Sequence, residues 1–152
     1  MSSPSRNTHK LNEILVEIFN DILKIEEKSL SNGPINDLSI TEIHTIDAIG
    51  MYDEKTMSEV AQELKITVGT LTTAINKLVK KEYVNRIRCE KDRRSVKISL
   101  TNKGKLVYRI HQKFHTDMIG STIEGLTKEE ELLLISSLDK VNKFFKEKYK
   151  DL

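Results

Sequence analysis

Lys91-Asp92-Arg93-Arg94 lies between two short segments of alternating apolar and polar residues, Tyr83 to Cys89 and Val96 to Leu100. Upstream, Thr67, Gly69, Thr70, Thr72, Thr73, Asn76 and Lys77 recur on what reads as the outer face of a helix. These residue types suit the recognition of a polyanion. A guanidinium is a planar fork of donors matched to phosphate, and short hydroxyl and amide side chains reach base edges without steric conflict. From Thr67 to Lys105, seven Lys and four Arg face only Glu82, Glu90 and Asp92, a net +8 in a chain whose total is +2, so the remainder is net acidic at −6. Phosphate attraction requires such clustering rather than a cationic average.

His44, His111 and His115 form a second constellation. The i, i+4 spacing of His111 and His115 puts two imidazoles on one helix face, where they can share a metal. His44 and the acidic residues Glu26 and Glu27 lie far from this pair along the chain, so spacing alone does not join them to it. The alternative is that the histidines hydrogen-bond across the interior or line an effector pocket. Cys89 is the single cysteine, which excludes a disulfide framework and any CxxC motif, and a strand cysteine beside Arg88 is more often packing than a redox switch. No nucleophile, base and orienting group come together and the six glycines are scattered, so no enzyme is expected.

The elements that would position these residues follow from periodicity. Leu11, Ile14, Leu15, Ile18, Phe19, Ile22, Leu23 and Ile25 repeat at helical steps from Thr8 to about Leu30, after a tail over residues 1–7. Ser31-Asn32-Gly33-Pro34 stops that helix. Ser39 to Glu42, Thr56 to Glu59 and Thr127 to Glu130 carry capping-box patterns that open three further helices. Thr67 caps a helix from Val68 to Lys81. It is joined to the helix ending near Leu64, which carries Ser58, by a turn too short for anything but a helix-turn-helix. Val60, Leu64, Ile66, Leu71 and Ala74 fall where these two helices must touch, with Ala61 at their crossing. The alternating segments then read as a two-stranded wing with Lys91, Arg93 and Arg94 at its tip, where arginine suits the negative potential of a minor groove. Leu106, Ile110, Phe114, Met118 and Ile119 mark a helix to about Ile123, and Leu132 to Tyr149 mark the last one. Long helices at both ends carry more apolar surface than one small subunit can cover, which implies a symmetric homodimer suited to palindromic DNA.

The fold class expected is mainly α with a small β-hairpin wing. A winged helix-turn-helix occupies residues 37–101, and residues 8–36 with 102–152 form a helical dimerisation region. At 152 residues the chain is too short for two full domains, and 32% charged against 38% hydrophobic residues fits a helix-rich globular protein. No apolar run approaches the roughly 20 residues that span a bilayer, and MSSPSRNTHK has no signal-peptide core, so a cytoplasmic protein with no membrane partner is expected.

In this order of elements the chain resembles the MarR family of winged helix-turn-helix regulators over about residues 8–149. The most specific match is LVKKEYVNRIRCEKDRRSVKISLTNKGK, with its Asp-x-Arg at Asp92 to Arg94 and Leu100-Thr101-x-x-Gly104. The resemblance implies that Arg94 enters the minor groove, that Asp92 orients its guanidinium and that Arg93 meets the backbone. It implies a wider DNA-contact set of Ser58, Thr67, Thr70, Thr72, Thr73, Asn76, Lys77, Arg86, Arg88 and Lys91. Glu82 stands where the family usually has Gly. Within the family, IFNDILKIEE, SITEIHTIDAIG, LTTAINKL and RIHQKFHTDM are similar to the FabT-type repressors of fatty-acid synthesis. That implies a dimeric repressor with no required cofactor and with long-chain acyl-acyl carrier protein as corepressor. Its acyl chain would enter a tunnel near Ile18, Ile22, His44, Ile110, His111, Phe114 and His115. The zinc set formed by Glu27, His44, His111 and His115 resembles instead the zinc-sensing members. A helical protein-interaction module that does not bind DNA is the alternative from another class.

Overall fold

Local capping chemistry sets most helix boundaries. The computed structural model describes residues 5–92 and 94–150. Helix α1, Arg6–Ser31, starts at Ser5, whose side chain accepts from the Thr8 amide. Of the tail expected over residues 1–7, Arg6 and Asn7 belong to the first helical turn, and residues 1–4 lie outside the described residues. Helix α2, Ile40–Ile49, has the full capping box: Ser39 N–H donates to Glu42 Oε2 at 2.8 Å and Glu42 N–H to Ser39 Oγ at 3.2 Å. Gly50 ends it at φ +77°, a conformation that disfavours any side chain. Thr56 and Glu59 build the same box for α3, Met57–Leu64. Thr67 caps α4, Val68–Lys80, with Lys81 as its C-cap.

Strands β2, Val84–Arg88, and β3, Val96–Leu100, form the antiparallel hairpin in the register Val84 to Leu100 and Arg88 to Val96. The sheet has one strand more than the two expected. Strand β1, Lys55–Thr56, pairs with Ile98 and Lys97 on the other side of β3, giving the order β1-β3-β2. Two residues show no periodicity, and their partner lies far along the chain, so the sequence pattern carries no sign of them. Lys55 secures this strand to its surroundings by donating to the Ala48 carbonyl at 2.6 Å and Glu63 Oε2 at 3.0 Å. Helix α5 spans Asn102–Ile123 and α6 spans Lys128–Lys148. None of the described helices is long and apolar enough to cross a membrane.

The chain divides into two compact units, with the boundary between Ile110 and His111. In the first, Ile43, Ile46 and Ile49 of α2, Val60 of α3, Leu71, Ile75 and Leu78 of α4 and Ile98 of β3 are fully buried. Ala61 is buried in α3, as its small size at the helix crossing suggests, whereas Ile66 stays exposed and Ile75 and Leu78 supply the inward face of α4. On α1 the one buried residue is Glu26. In the second unit α6 opens with the Thr127–Glu130 box and buries no residue. Leu133 of α6 is 68% exposed.

The join between α4 and the wing is tightly constructed. Glu82 turns the chain at φ +66°, a left-handed conformation taken here by a residue with a Cβ, at a cost of roughly 1 kcal/mol. Thr101 Oγ donates to the Glu82 carbonyl at 2.7 Å, accepts from Gly104 N–H at 3.1 Å, and its own amide donates to the Tyr83 carbonyl at 3.1 Å. A Cβ at Gly104 would lie 2.2 Å from that carbonyl oxygen. The Leu100-Thr101-x-x-Gly104 run thus has a steric reason: α5 can begin only where nothing projects toward Tyr83.

Candidate nucleic-acid interface

The outer face of α4 is polar because its inner face carries the core residues Leu71, Ile75 and Leu78 at helical spacing. At its tip, Thr67 Oγ accepts from Thr70 N–H at 3.1 Å. Thr72 donates its hydroxyl to the Val68 carbonyl at 2.8 Å, and Thr73 donates to that of Gly69 at 3.4 Å. Their hydrogens are turned into the helix, so each presents oxygen lone pairs and a methyl group outward. A Cβ at Gly69 would meet only Thr67 Oγ, at 3.9 Å. The fold does not need glycine there, and its smallness keeps this end of the helix low enough for close approach.

A cleft of about 520 Å³ separates the helices from the wing. It brings together Ser58, Thr72, Arg86, Arg88, Asp92 and Arg94, six of the residues singled out from the sequence, with Thr56, Met57, Val68, Ser95 and Val96 between them. Arg86 and Arg88 reach it together because alternate strand residues share a face. A second hollow, of about 640 Å³, flanks α4 and collects Thr70, Thr73 and Lys77 with Ser39, Thr41, Ala74, Glu42 and Lys81. Lys91 is exposed in the wing turn, and Arg93 lies outside the described residues.

Asp92 takes part in the wing turn itself. Its carboxylate accepts from the backbone N–H of Arg94 at 3.0 Å, not from the guanidinium, and its carbonyl accepts from Ser95 N–H at 2.9 Å. Asp92 therefore shapes the turn, because a short carboxylate caps an amide two residues on more readily than it spans to the end of an arginine. It positions Arg94 through the main chain. A further bond joins helix to wing: Arg86 Nη2 donates to Asn76 Oδ1 at 2.6 Å.

Part of the positive charge is structural rather than presented. Lys81 Nζ donates to the Asp37 carbonyl at 2.6 Å and to both Glu42 oxygens, at 3.0 and 2.9 Å. Lys103 Nζ donates to the Lys81 carbonyl at 2.9 Å and sits 4.1 Å from the centroid of the Tyr83 ring. Burial pushes the Glu42 carboxyl up, but the Ser39 amide and hydroxyl and the Lys81 ammonium outweigh it and hold the group below its ordinary value of 4.5. Tyr83, buried and donating to Asp37 Oδ1 at 2.7 Å, is pushed up to about 12 by burial and by the Asp37 carboxylate. Glu42, Lys81, Asp37 and Tyr83 together lock the end of α4 to the start of α2. Sequence spacing gave no sign of this network, whose members are distant along the chain.

Each unit holds part of this constellation. In the first unit His44 Nε2 lies 3.1 Å from Glu26 Oε1, and Glu26 is 3% exposed. Of the two acidic residues the sequence offered for this set, Glu26 is the one beside His44 and Glu27 is exposed. The difference follows from helix phase, since adjacent residues point about 100° apart. In the second unit His111 Nε2 and His115 Nε2 are 3.1 Å apart, with Phe114 in edge contact with His115. Ile18 is exposed, while Ile22, Ile110 and Phe114 are half-buried. Cys89 is half-buried just beyond β2, its N–H donating to the Ser95 carbonyl at 3.0 Å.

Residues 38–96, from the start of α2 through α3, α4, β2 and the wing turn, match the model of the MarR family. The structure of Streptococcus pneumoniae FabT in complex with DNA superposes with a TM-score of 0.87 at 42% identity, over 91% of this chain and 97% of that one. The chain belongs to the MarR family. Among curated relatives of this MarR chain, the HTH-type transcriptional regulator PchR of Bacillus subtilis is 24% identical over 89% of this chain and 78% of its own length. The Staphylococcus aureus MepR–DNA complex, at 19% identity and a TM-score of 0.70 over 89% of this chain and 97% of that one, shares the fold. This MarR-family protein is accordingly a DNA-binding transcriptional regulator with a winged helix-turn-helix fold.

Proposed function

We propose that the chain is a homodimeric repressor of fatty-acid-biosynthesis genes, acting in the cytoplasm on a pseudo-palindromic operator with long-chain acyl-acyl carrier protein as corepressor. The observation that carries this reading is the 42% identity with FabT over almost the whole of both chains. Exposed apolar residues on α1 and α6, among them Phe19, Leu133 and Phe144, support a dimer, because such stripes are normally covered in a working protein. Two copies related by a two-fold axis would place their α4 helices in successive major grooves, about 34 Å apart. Thr70, Thr73, Asn76 and Lys77 then face base edges and phosphates, while the wing turn carries Arg94, preceded in sequence by Lys91 and Arg93, to the minor groove. Arg88 and Ser58 line the cleft through which the backbone would pass.

One observation favours a second reading. The facing Nε2 atoms of His111 and His115 suit a shared metal ion, and a zinc-responsive repressor would use them with His44. The two readings separate in a gel-shift titration on DNA upstream of the fatty-acid-synthesis genes in the genome encoding this chain. Affinity is expected to rise about tenfold or more with acyl-acyl carrier protein, within the usual range of allosteric coupling. No response to the carrier, with a zinc response lost in His44→Ala, would replace the first reading by the second. Unchanged function in Arg94→Ala and Asn76→Ala would instead favour an interaction module that does not read DNA.

A further inference from the structure

We propose that the hollow between α2 and α4 seats a phosphate of the DNA strand opposite the one at the wing cleft, with Thr41 and Ser39 as hydroxyl donors, and that Lys81 opens it by cancelling the charge of Glu42. The inference rests on α4 entering a major groove, and on neither the regulated genes nor the corepressor.

A helix with its side chains is about 10–12 Å across and a major groove about 12 Å wide, so a helix lying in the groove meets a phosphate backbone on each flank. The structure has a hollow for each. Val68 and Thr72 of α4 line the cleft that holds the wing arginines, whereas Thr70, Ala74 and Lys77 line the hollow of about 640 Å³ shared with Ser39, Thr41, Glu42 and Lys81. At roughly 100° per residue these two sets of α4 residues lie about half a turn apart, with Gly69 and Asn76 on the outer face between them. Thr41 and Lys77 are exposed. Ser39 Oγ accepts from Glu42 N–H at 3.2 Å and so keeps its own hydrogen for an outside acceptor.

The obstacle is Glu42. Its carboxylate lines the same hollow, held there by its capping role, with Oε2 accepting from Ser39 N–H at 2.8 Å. A bare carboxylate beside a phosphate repels it. Lys81 removes that repulsion: Nζ donates to the two Glu42 oxygens at 3.0 and 2.9 Å and to the Asp37 carbonyl at 2.6 Å. An ammonium has three hydrogens, and all three are engaged within the protein. Lys81 is therefore a shield rather than a phosphate ligand, and the cation left to attract the strand is Lys77.

The probe is a DNA duplex enriched from a random pool by the wild-type chain, titrated by fluorescence anisotropy against variants shown by circular dichroism to be folded at the working temperature. Thr41→Val should weaken binding about two- to tenfold, the worth of one hydrogen bond, and Thr41→Glu about tenfold or more. Opposite signs at the ion pair separate shielding from scaffolding. Lys81→Gln should weaken binding about tenfold, Glu42→Gln should leave it unchanged or tighten it, and Lys81→Gln/Glu42→Gln should bind within about twofold of wild type. Glutamine at position 42 still completes a capping box, so α2 keeps its start. A lock needed only for the fold would weaken binding in all three. Neutral methylphosphonates placed singly along each strand should reveal a phosphate whose neutralisation no longer matters in Thr41→Val, on the strand opposite the one so marked by Arg88→Gln. Thr41 is exposed, so its variants and the methylphosphonates decide the matter even where Lys81→Gln fails to fold. Wild-type affinity in Thr41→Glu, a double variant no better than Lys81→Gln, or both marks on one strand would overturn the proposal and leave DNA reading intact. A wild type that enriches no duplex would sink DNA reading and this proposal with it.

Discussion

Helices α2 and α6 are both apolar-rich, yet they end in opposite conditions. Six of the ten residues of α2 are buried, including Ile43, Ile46 and Ile49 at 0% exposure, whereas α6 has none and leaves Leu132, Leu133, Ile135 and Phe144 more than half exposed. A helix apolar on nearly all sides is a core element, and one with an uncovered stripe is a surface waiting for a partner. The reading unit completes its own interior; the terminal helix does not. A winged helix-turn-helix can therefore hold its geometry by itself, while the spacing between two such units is left to association.

That contrast can be broken at its most constrained point. Gly104→Ala should cost about 3 kcal/mol or more in chemical denaturation, because the added carbon meets backbone rather than a movable side chain. A cost under 1 kcal/mol would show the α4–wing join to be pliable. On the other side of the comparison, Leu133→Asp should raise the dimer dissociation constant about 100-fold in sedimentation, roughly 3 kcal/mol, by placing a charge in a face that association would bury. Unchanged sedimentation would remove α6 Leu133 from the interface.

Smaller effects refine the picture. Glu42 has a lowered folded value, so its contribution to stability is present above about pH 4.5 and is lost as pH falls through that lowered value. Glu42→Gln should cost about 1–2 kcal/mol at pH 7 and flatten the loss of stability on acidification, read from thermal melts across pH 3 to 7. An undiminished acid slope would assign the acid sensitivity to other carboxylates. The smallest change is Glu82→Gly, where relief of the left-handed backbone nearly cancels the added chain entropy, leaving the unfolding free energy in chemical denaturation within about 0.5 kcal/mol of wild type.

The sequence was most legible where cause and effect lie a few residues apart. The boxes at Ser39, Thr56 and Thr127 and the cap at Thr67 are interactions over three positions, and each stands where the residue pattern puts it. The hairpin of β2 and β3 likewise stands where the pattern puts it, although Ile87 of β2 is exposed. Strand β1 and the choice of Glu26 over Glu27 beside His44 were less legible, since one depends on a distant strand and the other on the phase of a helix against its neighbour.

Sequence by itself thus determined the helices, the wing and the segregation of positive charge, all consequences of local propensity and patterning. Tertiary structure alone decided how that charge is divided. It engaged Lys81 and Lys103 in holding the end of α4 to its neighbours, gathered Arg86, Arg88 and Arg94 at one cleft, and turned the Asn76 amide toward the wing. The physical reason is that a side chain's charge belongs to the residue, whereas its partner belongs to whatever the packed core brings within hydrogen-bonding distance.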